Sequence, residues 1–262
     1  MHSTFATFLQ LLRRDIYVTF KRAHIYGINL GIIYPIMYAF CFLYIEPQVM
    51  FERDILQNGS ITFIGQILMF ALIISFEATI LVLFDLIGDR FIDYQRTFID
   101  SRLIIIERIV FAGLFSFVLL MPFFPVAKLF FPDAFIIPNA SWLSLAWILL
   151  LTSFMTSAYH LMTACIMTNA HQMSRLWLRY NEAMLVLGGI IIPWYIIYKT
   201  SPLLGYLALL NPMLYVTEGA RQALLGTSDF FPLWICSIML ITWTIICTII
   251  ACRVFKKRVD HI

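Results

Sequence analysis

The chain has 262 residues, 61% hydrophobic and 13% charged, with a mean hydropathy of +0.88. That composition excludes a soluble domain, which would need a polar surface to meet water. Basic and acidic residues nearly balance, 18 Lys and Arg against 15 Asp and Glu, and no polar stretch is long enough to fold alone, so one membrane domain over 1–262 and no nucleic-acid partner are expected.

Residues 4–22 place Phe5, Phe8, Leu9, Leu12, Ile16 and Phe20 at helical spacing, with Gln10, Arg13, Arg14, Tyr17 and Lys21 largely opposite. This predicts an amphipathic interface helix lying along the cytoplasmic membrane surface. A basic stretch that only orients the first span is the plainer alternative. The basic residues follow the opening apolar ones and no small-residue cleavage site comes after them, so a signal peptide is not expected.

A helix crossing the bilayer core needs roughly 20 apolar residues. Six stretches meet that requirement: about 25–45, 61–86, 108–131, 141–168, 182–198 and 232–252. The first contains Gly27-x-x-x-Gly31, a packing signal of low specificity. The second carries Glu77 and Asp85, which with Leu81 follow an i, i+4, i+8 line on one face. An ionisable group inside a span costs at least about 2–3 kcal/mol and avoids lipid. Glu77 fits either a pathway or gating contact, or a carboxyl buried at a helix interface.

Between the second and third spans, 88–102 is dense in both signs of charge: Asp89, Arg90, Asp93, Arg96, Asp100 and Arg102. Phe91, Ile92, Phe98 and Ile99 are interleaved with them. The pattern predicts a short helix that docks on a partner, with apolar residues to insert and charges to set register; a solvated loop is the alternative. The fourth span carries Thr152, Thr156, Tyr159, Thr163 and the adjacent His160, a polar face suited to hydrogen bonds between helices or to a substrate path. The five cysteines fall in apolar runs without a CxxC pair and read as small apolar fillers. Gly188-Gly189 permits close helix approach in the fifth span.

The apolar run 203–225 resembles a seventh span until Asn211-Pro212 interrupts it. Asn is a good N-cap and Pro fits the first helical position, so a new helix starts there, carries Glu218 and Arg221, and stops at Gly226. Each half is too short to cross, and a re-entrant external hairpin over 203–226 is expected. Charge counting agrees: with six spans, 14 of the 18 basic residues fall inside and 4 outside, whereas a seventh would put Lys256-Lys257-Arg258 outside. Both termini are therefore expected in the cytoplasm.

No GxxxxGK[ST] stretch occurs, so any nucleotide hydrolysis must come from another polypeptide. No constellation of paired His, Asp or Glu marks an enzyme, and no second ligand accompanies His160 for a metal.

This layout resembles the ABC-2 type permeases, membrane subunits of ATP-binding cassette exporters, over nearly the whole chain. Ser75-Phe-Glu-Ala-Thr79 running into Asp89-Arg90 and Arg96-Thr97-Phe-Ile-Asp100 is similar to the family's second span leading into its coupling helix, although the family's Glu-x-Gly-Thr is absent. Leu210-Asn-Pro-Met-Leu-Tyr-Val-Thr-Glu-Gly-Ala-Arg221, ending in Leu-Leu-Gly226, closely follows its Asn-Pro…Glu-x-x-Arg…Gly signature. The resemblance implies an all-α integral membrane protein with six spans in a bacterial inner membrane, pairing with a second permease copy. It implies coupling to a separate ATPase, which holds ATP and Mg, through Asp89, Arg90, Tyr94, Arg96, Thr97, Asp100 and Arg102. Glu77 and Asp85 would then lie in the pathway or gate, and Asn211, Pro212, Glu218 and Arg221 in the external hairpin. Lipids, glycolipids or polysaccharides, and amphipathic drug-like molecules are the cargo classes left open. An ion-coupled carrier using Glu77, and a membrane enzyme or assembly factor without an ATPase, are the alternatives.

Overall fold

The computed structural model of the chain describes residues 6–17, 29–45, 55–87, 99–167, 179 and 181–260. Their regular structure is entirely helical. Helix α1 covers 6–17. Helix α2 (Tyr34–Ala39) is continued at both ends by wider π turns, Asn29–Ile33 and Phe40–Ile45. Then follow α3 (Ile55–Ile87), α4 (Ser101–Leu120), α5 (Phe123–Phe130), α6 (Trp142–Ile166), α7 (Glu182–Leu187), α8 (Trp194–Thr200), α9 (Pro202–Ala208), α10 (Pro212–Leu225) and α11 (Leu233–Asp260).

Among the described residues, four stretches are long and apolar enough to cross a membrane: Gly59–Thr79, Ser101–Phe130, Trp142–Ile166 and Leu233–Lys257. The chain is thus an all-α membrane protein. The apolar Tyr34–Ile45 is shorter.

Helix α6 is the hub, packing on α11, α4 and α3, while α10 lies against α11, α6 and α3. Phe63, Phe124 and Phe135 meet at the core, Phe63 standing edge-on to Phe135 at a centroid distance of 5.1 Å. Such pairs add about 0.5–1.5 kcal/mol to the burial of their rings.

Local chemistry sets several helix ends. The Asp100 carboxylate accepts from the Arg102 amide at 2.9 Å and caps α4. Pro122 interrupts the third apolar stretch between α4 and α5. The 88–102 segment therefore does not run to 102 as one helix: Asp100 is extended, and Arg102 stands exposed in the first turn of α4. The third span begins earlier than 108 for the same reason. Asp89, Arg90, Tyr94, Arg96 and Thr97 lie outside the described residues, as do Gly27 and residues 18–22 of the predicted interface helix.

Two further expectations are revised. The stretch 182–198 is not a single helix. It breaks after Leu187, where Gly188, Gly189 (φ +69°) and Pro193 carry the chain into α8. A Cβ at Gly188 would lie 2.8 Å from the Met213 Cβ, so the glycine allows a close approach as well as a bend. In α6, the hydroxyls of Thr152, Thr156 and Thr163 do not reach other helices. They bond back to Ile148, Thr152 and His160 carbonyls of their own helix. His160 does reach across, hydrogen-bonding the Leu72 backbone of α3 and standing edge-on to Phe76.

Candidate functional site

The Asn211–Arg221 series folds as α10, and nearly all of that helix is buried. Its start is local: the Asn211 carboxamide oxygen accepts from the Met213 amide at 3.0 Å, and Pro212 occupies the first turn. Its end is local too. Gly226 adopts φ +64°, and a Cβ there would sit 2.8 Å from the Asn139 Cβ.

Between those ends, the polar side chains of α10 serve the backbone of the broken stretch beside it. The Asn211 amide donates to the Met184 carbonyl at 2.7 Å, and the Thr217 hydroxyl to the Gly188 carbonyl at 2.8 Å. Arg221 Nη2 donates to the Ile190 carbonyl at 2.9 Å. In the opposite sense, the Trp194 amide donates to Glu218 Oε1 at 3.0 Å. Breaking a helix leaves amides and carbonyls without partners, and a low-dielectric interior makes each costly. Four side chains of one helix thus satisfy four backbone groups across residues 184–194.

Arg221 is the centre of this clamp and is 0% exposed. Besides Ile190 it reaches the Ile61 carbonyl of α3 at 3.2 Å and Glu218 Oε1 at 3.4 Å. Burial lowers its pKa to about 10, opposed by the Glu218 charge, and it stays cationic at neutral pH. Burial pushes the Glu218 carboxyl upward, while Arg221 and the Trp194 amide hold it down. A buried pair is favourable only when its remaining donors and acceptors are satisfied; backbone groups meet Arg221 and Glu218 Oε1, while Glu218 Oε2 has no hydrogen-bond partner among the described residues.

Around the clamp, Trp194 stacks on Tyr198 at 5.0 Å and lies 4.8 Å from Phe231. Its indole donates to the Gly205 carbonyl at 3.0 Å, tying α8 to α9. The run 203–226 thus forms two helices, α9 and α10, on either side of Asn211-Pro212. The same residues also fasten it to the fifth apolar stretch, which sequence spacing did not reveal.

Glu77 occupies a different place. It is exposed on α3, in line with the partly exposed Thr62, Gln66, Met69 and Ile73 at three- and four-residue spacing. Over residues 59–79 this stripe is the least covered side of the helix. Asp85 stands two turns further along the same helix.

A second charged cluster was not anticipated. Asp15 of α1 is buried and meets Arg108 Nη1 of α4 at 2.7 Å, while Arg14 Nε donates to its other oxygen at 2.7 Å. Glu107, also buried, stands 3.8 Å from Arg108 Nε. The signal for it was an acidic residue within the amphipathic stretch and a Glu-Arg pair opening an apolar one. Among the described residues, no group of three His, Cys, Asp or Glu could hold a metal ion.

Comparison with protein-family models, with curated proteins and with solved structures gives no match.

Proposed function

We propose that this chain is the membrane-spanning permease subunit of an ATP-binding cassette exporter of the ABC-2 type. Two copies pair in a bacterial inner membrane with their termini in the cytoplasm, and a separate ATPase binds ATP and Mg and hydrolyses the nucleotide. The cargo is lipid-like, a glycolipid or polysaccharide, or an amphipathic drug-like molecule.

The observation that carries this reading is the division of labour within α10. Every residue of the Asn-Pro…Glu-x-x-Arg…Gly series has a distinct task there: cap, first-turn proline, backbone clamp, ion pair and left-handed stop. The clamp makes α10 and the broken stretch 182–198 one unit. A rigid unit of that kind is what a docked ATPase would need in order to move one side of a permease against the other. The exposed stripe ending at Glu77 supports a surface that meets a second copy or a polar path rather than lipid.

In this reading 88–102 contacts the ATPase. The test is to co-purify the chain with the ATP-binding cassette ATPase encoded beside it and to measure ATP turnover after Arg96→Glu. Arg96 is preferred to Asp100, whose substitution would also remove the α4 cap. Loss of assembly or turnover is expected. Unchanged assembly and turnover, or the lack of any such ATPase that binds the chain, overturns the proposal.

A further inference from the structure

A cavity of about 380 Å³ lies between α6, α11, the broken fifth stretch and the junction of α9 with α10. It is within the size range of small-molecule sites, roughly 300–1,000 Å³. Met155 and Met162 of α6, Met184 of α7, Leu210 beside the hairpin break, and Trp243 and Cys247 of α11 line it. Its polar residue at the break, Asn211, already uses its amide on Met184 and its carbonyl oxygen on Met213. The walls therefore suit an apolar guest, and the three methionines adapt readily to a flexible one.

The mouth of the cavity identifies the guest. Ile246 and Ile250 line it and are themselves exposed. They continue the exposed apolar side of α11 formed by Ile238, Ile241, Ile245 and Ile249. On a helix long enough to cross a membrane, such a side faces hydrocarbon. Trp243 to Ile250 occupy the middle of that helix, so what enters from this side comes from the bilayer core. A bilayer supplies thin apolar chains at the opening, and each contact they make with the lining adds dispersion attraction.

We propose that this cavity is a binding site for one acyl chain of a membrane lipid, inserted between α11 and the hairpin unit. The chain wedges against Met184 and Leu210, on either side of the Asn211 hydrogen bond that ties the hairpin to the broken stretch. This inference does not depend on the transport reading.

The test is to reconstitute the full chain in phosphatidylcholine vesicles bearing a diazirine on one acyl chain, irradiate, and map adducts by mass spectrometry. Met155 is only 1% exposed, so a chain can reach it only from within the cavity. Adducts are expected on Met155 and Met184 as well as on Ile245 and Ile249. The variant Cys247→Trp, which fills the cavity, should lose the methionine adducts at least several-fold and keep those on the isoleucines. Labelling of Ile245 and Ile249 without Met155 or Met184 in the unsubstituted chain overturns the proposal. So does methionine labelling that a folded Cys247→Trp chain leaves unchanged. If that variant does not fold, the map of the unsubstituted chain decides by itself.

Discussion

Gly65 of α3 lies directly against the Ile190 carbonyl, the same carbonyl that accepts from Arg221 Nη2 at 2.9 Å. A Cβ at Gly65 would overlap that oxygen and come within 2.7 Å of the guanidinium. Two backbones meet there, and the guanidinium beside them is held in place by the Ile190 and Ile61 carbonyls and by Glu218. Gly65→Ala is expected to cost at least about 1–3 kcal/mol, as overpacking does in a close-packed interior. Gly113→Ala, where the nearest atom is a Phe154 ring carbon at 3.0 Å, should cost less. Thermal unfolding of both purified variants checks the order; equal midpoints would remove the Gly65–Ile190 contact from the account.

Arg221→Met should be among the most damaging substitutions in the chain. It strands Glu218 in a buried site and frees the Ile190 and Ile61 carbonyls. Breaking a buried pair costs about 3–5 kcal/mol because a charge is left without compensation. The double variant Arg221→Met with Glu218→Gln removes that charge and still allows an acceptor for the Trp194 amide. It should be more stable than Arg221→Met alone, though short of the unsubstituted protein. A double variant no better than the single would show that the carbonyls, not the stranded carboxylate, dominate the loss.

The Asp15–Arg108 ion pair fastens α1 to α4. Asp15→Asn and Arg108→Gln are each expected to loosen α1 while leaving the apolar helices folded. Limited proteolysis reads this as faster cleavage within 6–17. Cleavage at the unsubstituted rate in both variants would mean that apolar contacts alone hold α1.

At Asp100 the effect is a helix cap. Asp100→Ala should lower stability by about 0.5–2 kcal/mol, and Asp100→Asn, which can cap equally well, by much less. If partner binding instead falls equally in both variants with stability unchanged, the Asp100 charge acts on a partner and not on α4.

Glu77 is exposed, so replacing it creates no cavity and no stranded partner among the described residues. Glu77→Gln should therefore leave folding and subunit assembly intact and lower transport in vesicles. Transport at the unsubstituted rate would reduce Glu77 to a surface carboxyl with no part in the path.

What the sequence determined by itself is what depends on nearest neighbours along the chain. Sixty-one per cent apolar residues compel a membrane environment. The Asn211-Pro212 pair starts a helix wherever it is placed, because the cap and the proline act within one turn, and Gly226 stops it for an equally local reason. Tertiary structure decided what those helices touch. Arg221 and Ile61 are 160 positions apart, and nothing in the spacing of Glu218 and Arg221 says that they would clamp backbone groups of 184–194. The break at Gly188-Gly189 could be read as packing glycines, because a helix interrupted in an apolar interior is tolerable only when side chains of a neighbouring element satisfy the backbone it frees. Which side of α3 stays uncovered, leaving Glu77 exposed and Thr79 buried, likewise depends on where α6 and α10 come to rest.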